Sequence, residues 1–530
     1  MRSRSAPAPL AVSAVAVAAL AALPLAYLLI RGIGGGADAW EIVTRGRTAA
    51  LVGRTVALVA GAPALATAIG VGLAWLVVRT DMPGRRLFGV LAALPLVIPS
   101  YVLALAFIAA IGPGGLTGEL WGGPGAAWIF GYRGATLALA LATYPYVFLL
   151  TAAALRRMDP SLEEAARSLG RSRAAAFRQV TLPALRPAIG AGAVLVALYA
   201  LSDFGVVSLL RYDALTRAIY NQYRSLFDRE PAAVLGLVLV VLTTAVLVLE
   251  ARSRERGRLR RSGAAADRPA ELVPLGRWRW PAVAACAAVV AVALVLPVAV
   301  LEWWALSAGA ELPSEGEVAG WAGNSLLVSL LAALAATAAA LPLAALAARR
   351  RTAFARSLER VTYAANALPG IVIALSLVFF ATRVAEPLYQ TLALLVFAYV
   401  VRFLPQALAG ASGALLRVDP KLEQASRGLG AGPWRTFARV TAPLVAPGLL
   451  AGATLVFLST MKELPATLLL RPIGFDTLAT EVWTATGVSA YSEAAAPALL
   501  LIVLSAPVVW LLQVRTRGEG AAAEEPPPRE

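Results

Sequence analysis

The chain has 530 residues, 59% of them hydrophobic and 15% charged, where soluble proteins hold roughly 45–50% and 25%. It contains no histidine and one cysteine, Cys286, which excludes His-based triads, His-ligated metal centres, intrachain disulfides and CxxC sites. The net charge of +16 is carried almost wholly by arginine; on so apolar a chain it marks basic loops beside a bilayer rather than a nucleic-acid surface.

About 20 apolar residues cross the hydrocarbon core. Twelve such stretches follow one another, at 9–30, 51–78, 87–111, 134–155, 187–210, 231–250, 280–306, 322–348, 362–382, 389–411, 447–470 and 494–514. The first follows Arg2 and Arg4. It is too long for a usual signal-peptide core, shows no small-residue cleavage site, and reads as an uncleaved span. The expected fold is an all-α polytopic membrane protein. With the N-terminus inside, inner segments hold about 34 Lys and Arg and outer ones about 10. The richest inner stretch, 251–279, carries Arg252, Arg254, Arg256, Arg258, Arg260 and Arg261. The outer loop 307–321 carries Glu311, Glu315 and Glu317 and no base. Both termini are therefore expected in the cytoplasm, with the lipid bilayer as the chain's first partner.

The sequence repeats itself. Asp159-Pro160-Ser161-Leu162-Glu163-Glu164-Ala165-Ala166-Arg167-Ser168-Leu169-Gly170 returns as Asp419-Pro420-Lys421-Leu422-Glu423-Gln424-Ala425-Ser426-Arg427-Gly428-Leu429-Gly430. The register holds through Phe177/Phe437, Val180-Thr181/Val440-Thr441, Pro183/Pro443 and Pro187/Pro447, and Pro99 and Val102 match Pro369 and Val372 ten residues further apart. The Gly/Pro-rich loop 112–133 absorbs the ten. Six spans per repeat return the chain to the same side, so the halves are parallel repeats about an axis along the membrane normal. The organisation read from this is a first half 1–250, a basic linker 251–279, a second half 280–514 and a tail 515–530.

Each repeated motif lies in the inner loop after the fourth span, at 156–186 and 417–446. Asp159 is placed to cap a helix beginning at Pro160, with Glu163 and Glu164 at its positive end and Gly170 as its stop. Ser172 caps a second short helix, expected to end before Pro183; Gly432 and Pro433 take that start in the other copy. Two short helices meeting at a glycine form a bracket fixed to spans at both ends, which a partner can push without unfolding it.

Glu164-Ala165-Ala166, Gly170 and Val180-Thr181-Leu182-Pro183 resemble the EAA loop of permease subunits in bacterial ATP-binding-cassette importers. The resemblance implies an inner-membrane location and two cytoplasmic ATPase subunits docked on Glu163, Glu164, Ala165, Ala166 and Gly170 and on Glu423, Gln424, Ala425, Ser426 and Gly430. In the second copy Gln424 replaces the family glutamate and Ser426 the second alanine; Glu423 is expected to keep the charge one position earlier. No GxxxxGK[ST] loop is present, so ATP and Mg belong to the partner, and no cofactor or catalytic residue is expected on this chain.

Ionisable residues within spans cost about 2.5–3.5 kcal/mol each and are functional candidates: Arg54, Asp203, Arg402, Lys462 and Glu463. The 260-residue offset sets Asp203 against Glu463 and Arg211 against Arg471. Asp203, Lys462 and Glu463 are candidates for the translocation path, the two acids facing a cavity between the halves, though no metal site is certain. The alternative is local ion pairing, Lys462 with Glu463 and Arg211 with Asp203. Asp203-Phe204-Gly205-Val206-Val207 and Met461-Lys462-Glu463-Leu464-Pro465-Ala466-Thr467 are similar to ferric-iron importer permeases, as is the fused two-half length. This implies a periplasmic ferric-binding protein delivering chelated Fe(III), docking on loops 211–230 and 471–493, whose Tyr212, Tyr220, Tyr223, Trp483 and Tyr491 serve as contacts or interfacial anchors. Thiamine and polyamine permeases share the scaffold. A proton-coupled twelve-span transporter, a membrane-embedded transferase and a passive channel are the rivals; none of them needs the repeated bracket.

Overall fold

The computed structural model describes residues 8–34, 36–122, 125–224, 230–258, 272–307, 313–349, 352–365 and 368–521. Arg2, Arg4, Arg260, Arg261, Glu311, residues 259–271 of the linker and the end of the tail lie outside the described residues. The first half holds α1 (Ala8–Gly34), α2 (Gly46–Arg79), α3 (Ser100–Ile111), α4 (Tyr132–Arg156), α5 (Ser161–Ser168), α6 (Arg173–Ser202), α7 (Gly205–Leu209) and α8 (Glu230–Arg258). The second holds α9 (Gly276–Ser307), α10 (Glu315–Arg349), α11 (Gly370–Val384), α12 (Leu392–Arg417), α13 (Pro420–Gly428), α14 (Pro433–Met461), α15 (Pro465–Leu470) and α16 (Tyr491–Ala521). Among the described residues there is no strand, only an isolated bridge between Thr80 and Val273.

Among the described residues ten helices are long and apolar enough to cross a membrane, and shorter apolar helices at Gly370–Val384 and Tyr491–Pro507 stand at the ninth and twelfth predicted spans. This is the two-repeat polytopic helical fold expected. Three kinds of boundary differ, each in both halves. The third and ninth spans begin at Ser100 and Gly370, not at 87 and 362, because Pro99 and Pro369 hold extended backbone immediately before them. The fifth and eleventh spans end at Ser202 and Met461 and do not run on to 210 and 470. Nor does the second short helix stop before Pro183. It passes through a π turn, Phe177–Thr181, into α6, and Phe437–Thr441 does the same in α14. The wider turn absorbs the hydrogen bond that each proline ring cannot donate.

Within each half the second, fourth and fifth spans pack together: α2, α4 and α6, and α10, α12 and α14. The third spans are the innermost, with every residue from Ser100 to Ala110 and from Gly370 to Phe379 buried. A helix apolar on all faces has no lipid-facing stripe to expose. The first spans cross over. α1 packs on α10 and α11 of the other half, and α9 packs on α3. α8 joins α6 to α11, and α16 joins α14 to α3. The repeat boundary in sequence is therefore not a packing boundary; each core is completed by helices of the other half.

Candidate functional site

The two brackets are built alike. Asp419 caps α13 by accepting from the Lys421 N–H at 2.9 Å; Asp159 accepts from the Ser161 N–H at 2.9 Å, and α5 begins there, one residue later than expected. That N–H and the Ser161 hydroxyl hold the Asp159 carboxyl below its ordinary 3.8. Both helices end on glycine in the left-handed region, Gly170 at φ +82° and Gly430 at φ +84°. Around each runs the pair of bonds of a Schellman motif: Arg171 N–H to Ala166 O and Gly170 N–H to Arg167 O, and Ala431 N–H to Ser426 O and Gly430 N–H to Arg427 O. Ser172 then caps α6 through the Ala175 N–H at 3.3 Å. The bracket is one short helix, a glycine corner and the start of a 30-residue helix.

Glu163 and Glu423 are the acids that tie each bracket down. Glu163 Oε2 accepts from Arg79 Nη2 at 2.6 Å and from the Thr181 hydroxyl at 3.1 Å; Glu423 Oε1 accepts from the Thr441 hydroxyl at 2.9 Å. Glu423 thus occupies the place of Glu163 and does not stand in for the missing Glu164. Glu164, Gln424, Ala165 and Ala425 are exposed. Ala166 and Ser426 sit against the second helix, where the Ser426 hydroxyl meets that of Thr436 at 3.1 Å; Ala166 and Ala176 fill the same places in the first copy. Arg79 is 5% exposed, so Glu163→Gln strands a buried guanidinium. Its expected cost is on the order of 3 kcal/mol, read as a lower unfolding midpoint of the full chain in detergent.

The linker pairs with the end of α2, and Leu272 and Val273 line a hollow with Pro160, Glu163 and Glu164 of the first bracket. Val273 bonds Arg79 O and Asp81 N, Leu275 N–H donates to Asp81 Oδ1 at 2.9 Å, and Arg279 pairs with Asp81. Arg279 first, then the Leu275 N–H, hold the Asp81 carboxyl below 3.8. A carboxyl with a depressed value keeps its pairing at neutral pH and loses it only as the pH falls through that lowered value.

At the far end of α6 the helix breaks at Asp203, whose backbone is extended. Asp203 Oδ1 accepts from the Val206 N–H at 2.9 Å and so caps α7; Oδ2 accepts from the Ser100 hydroxyl at 2.6 Å, to which Tyr199 also donates. The second half breaks one residue earlier, at Lys462, and Pro465 opens α15. Glu463 Oε2 accepts from the Ala466 and Thr467 N–H groups at 2.9 and 3.3 Å. Its other oxygen faces Arg402 Nη1 at 3.5 Å. Asp203 is 8% exposed and Glu463 4%, so each acid is a buried cap with a partner from its own half.

Neither local pair expected from sequence forms. Lys462 Nζ donates to Leu96 O at 2.7 Å, crossing into the first half. Arg211 lies over the Phe130 ring, 4.8 Å from its centroid, and Arg471 pairs with Asp476. Arg54 pairs with Asp213 at 3.0 Å. The partners that sequence reasoning passed over are Arg79, Ser100 and Gly370. Ser100 follows Pro99 as Gly370 follows Pro369, so the offset already in hand pairs them. A Cβ at Gly370 would strike the Arg402 guanidinium and the Glu463 carboxylate. Serine in one half and glycine in the other decide whether the acid meets a hydroxyl or an arginine.

The aromatics of the outer loops are packing residues. Phe204 contacts Tyr220 and Trp483 at 4.7 and 4.9 Å between centroids, joining the two halves at the break, and Trp304 packs tilted against Tyr491 at 5.4 Å. Tyr212 is buried and donates to Arg54 O.

Comparison with known proteins matches residues 66–256 and again 340–517 to the binding-protein-dependent transport system inner membrane component. The chain belongs to this family. The two matched segments are the two halves, each running from the second span to beyond the sixth. The chain is 33% identical over 500 residues to the Fe(3+)-transport system permease protein FbpB 2 of Haemophilus influenzae, covering 93% of this chain and 95% of that protein. It is 26% identical to the putative ferric transport system permease protein FbpB 1 of the same organism, over 75% of this chain and 67% of that one. The molybdenum transport system permease protein ModB of Escherichia coli K12 is 38% identical over 137 residues, 26% of this chain and 60% of its own length. As a member of this family the chain is a polytopic transport permease, and its repeated halves are two fused copies of the family's unit.

Proposed function

We propose that this chain is the complete transmembrane gate of an ATP-driven importer for Fe(III), working by alternating access. The observation that carries it is the end-to-end match with a Fe(3+)-transport permease; the thiamine and polyamine alternatives gain no support. The bracket end faces the cytoplasm, in keeping with its arginines. Two ATPase subunits dock there. Leu162 and Leu169, with Leu422 and Leu429 at the same places in the second copy, are 61%, 84%, 49% and 90% exposed, and such repeated apolar side chains on a polar helix suit a partner's cleft. A periplasmic binding protein delivers the cargo at the opposite face, and ATP with Mg is bound by the partner alone.

The path of force is short. A push on α5 or α13 passes through a glycine corner into α6 or α14, and both helices end at the breaks where the halves meet. Closure of the ATPases draws the brackets together and shifts the breaks; hydrolysis resets them. Purified chain, ATPase and ferric-binding protein in proteoliposomes are expected to accumulate ⁵⁵Fe only with ATP inside the vesicle face carrying the brackets. Accumulation without the ATPase overturns the reading in favour of a secondary transporter.

A further inference from the structure

The end of the molecule opposite the brackets carries two equivalent places of opposite charge. In the register that sets Pro99 against Pro369, Thr55 near the start of α2 stands against Ser325 of α10. Each hydroxyl makes the same bond. Thr55 Oγ1 accepts from the Leu215 N–H at 3.0 Å, and Ser325 Oγ accepts from the Leu478 N–H at 2.9 Å. These bonds seat two short helices, Leu215–Arg224 and Leu478–Gly487, in matching positions. Tyr220 of one meets Trp483 of the other at 6.2 Å between centroids, so the two places flank one aromatic seam.

The side chains around these bonds are exchanged in sign. In the first half Arg47, Arg54 and Asn221 line a hollow of about 400 Å³ with Asp213. Asp213 accepts from Arg54 at 3.0 Å and from Arg217 at 2.8 Å, one acid between two arginines. Arg47 leaves the place net positive. The matching residues of the second half are Glu317 for Arg47, Asn324 for Arg54, Thr480 for Arg217 and Glu481 for Ala218. Asn324 keeps the neighbour, donating to the Asp476 carbonyl at 2.8 Å. Burial first, then Asp476, raises the Glu481 carboxyl above its ordinary 4.5; Glu317 and Glu493 add to the rise and Arg471 opposes it. Four acids thus share one field, with Arg471 beside them. Arg47, Arg54 and Glu317 are exposed and Glu481 is half-buried. Arginines at this end run against the charge bias that orients the spans, so membrane insertion gives no reason for them.

We propose that this end is a polarised dock, which the delivering protein meets in one orientation, with an acidic patch over the Arg47–Arg54 hollow and a basic patch over Glu317 and Glu481. The proposal rests on the reading that a periplasmic binding protein brings the cargo, and it adds how that protein is turned. Two like halves about a pseudo-two-fold axis would otherwise accept a partner either way round. Opposite charges at equivalent places remove the choice, because the reversed complex sets like charges together. Charges on an exposed rim act chiefly on the rate of encounter.

The test places the full chain with its ATPase in nanodiscs of phosphatidylcholine and follows association of the ferric-binding protein. Each half is given the other's residues: Arg47→Glu with Arg54→Asn, and Glu317→Arg with Glu481→Ala. Each pair is expected to slow association about tenfold and to flatten its dependence on ionic strength. Orientation is read separately, from Ala50→Cys in the hollow and Gly320→Cys at the matching place, where a Cβ meets nothing within 4 Å. The native Cys286 is buried. Labelled with a photoreactive maleimide, each new thiol is expected to capture its own peptides of the binding protein, acidic ones at Ala50→Cys and basic ones at Gly320→Cys. The same peptides captured at both positions, or unchanged rates in both pairs, overturn the proposal and leave the ferric permease standing. Slowing confined to Arg47→Glu with Arg54→Asn, and seen only in discs containing phosphatidylglycerol, assigns the arginines to lipid headgroups and also overturns it. Failure of the ferric-binding protein to associate with the wild-type chain overturns the delivery reading and the proposal with it.

Discussion

Replacing Gly170 and Gly430 together by proline is expected to abolish ATP-driven uptake while the protein still inserts in the membrane. Both glycines sit at φ above +80°, and the proline ring fixes φ near −65°. Each proline would also delete the N–H that closes its Schellman pair, to Arg167 O in one copy and Arg427 O in the other. The corner between α5 and α6 then cannot form, and a push on the short helix is lost before it reaches the long one. A Cβ at either glycine meets nothing within 4 Å, so crowding plays no part. Gly→Ala is the graded control: it retains the N–H and adds only the left-handed penalty, about 1–2 kcal/mol per site. The ranking expected is wild type, then the double alanine variant, then the double proline variant with uptake near zero. Insertion is read by membrane extraction, coupling by ⁵⁵Fe entry and by co-purification of the ATPase. Full uptake by the double proline variant would remove the bracket from the mechanism.

Much of this was legible in the sequence because it is local or periodic. Apolar runs give the spans, the 260-residue offset gives the repeat, and Asp, Pro and Gly at fixed spacing give the bracket and its glycine corner. What escaped depends on which chain segments meet. Pro183 reads as a helix stop by every local rule, yet the π turn before it carries the helix through. Asp203 and Glu463 read as mid-span charges because hydropathy continues past them; the breaks come from side chains capping the next helix. Lys462 finds its acceptor 366 residues away, and Glu463 its arginine on another span. An offset pairs equivalent positions; it is silent on what each touches, and here equivalent acids touch different things. The crossing of α1 and α9 into the opposite half is likewise invisible to hydropathy, which gives span order but no neighbours.

The second-half pair is where a single substitution is expected to cost most. Arg402→Met leaves the Glu463 carboxylate, 4% exposed, without its cation, and Glu463→Gln leaves the guanidinium without its anion. Either change alone is expected to cost on the order of 3–5 kcal/mol, since an unpaired charge remains buried. The double variant is expected to be more stable than either single one, because the pair at 3.5 Å has no hydrogen-bond geometry and its removal takes both desolvation costs with it. Gly370→Ala is expected to behave like Arg402→Met, because its new Cβ occupies the guanidinium's place. The sharper arm copies the first half. Gly370→Ser with Arg402→Met puts a hydroxyl where Ser100 stands and removes the cation, so that Glu463 gains the kind of bond that Ser100 donates to Asp203 at 2.6 Å. That combination is expected to recover part of the stability lost in Arg402→Met, on the order of 1–2 kcal/mol for a hydrogen bond to a charged group. All are read as unfolding midpoints of the full-length protein in one detergent. Additive losses in the Arg402/Glu463 cycle would show that the two side chains are not coupled. No recovery by serine would show that Asp203 and Glu463, though equivalent in sequence, are held by backbones too different for one solution to serve both.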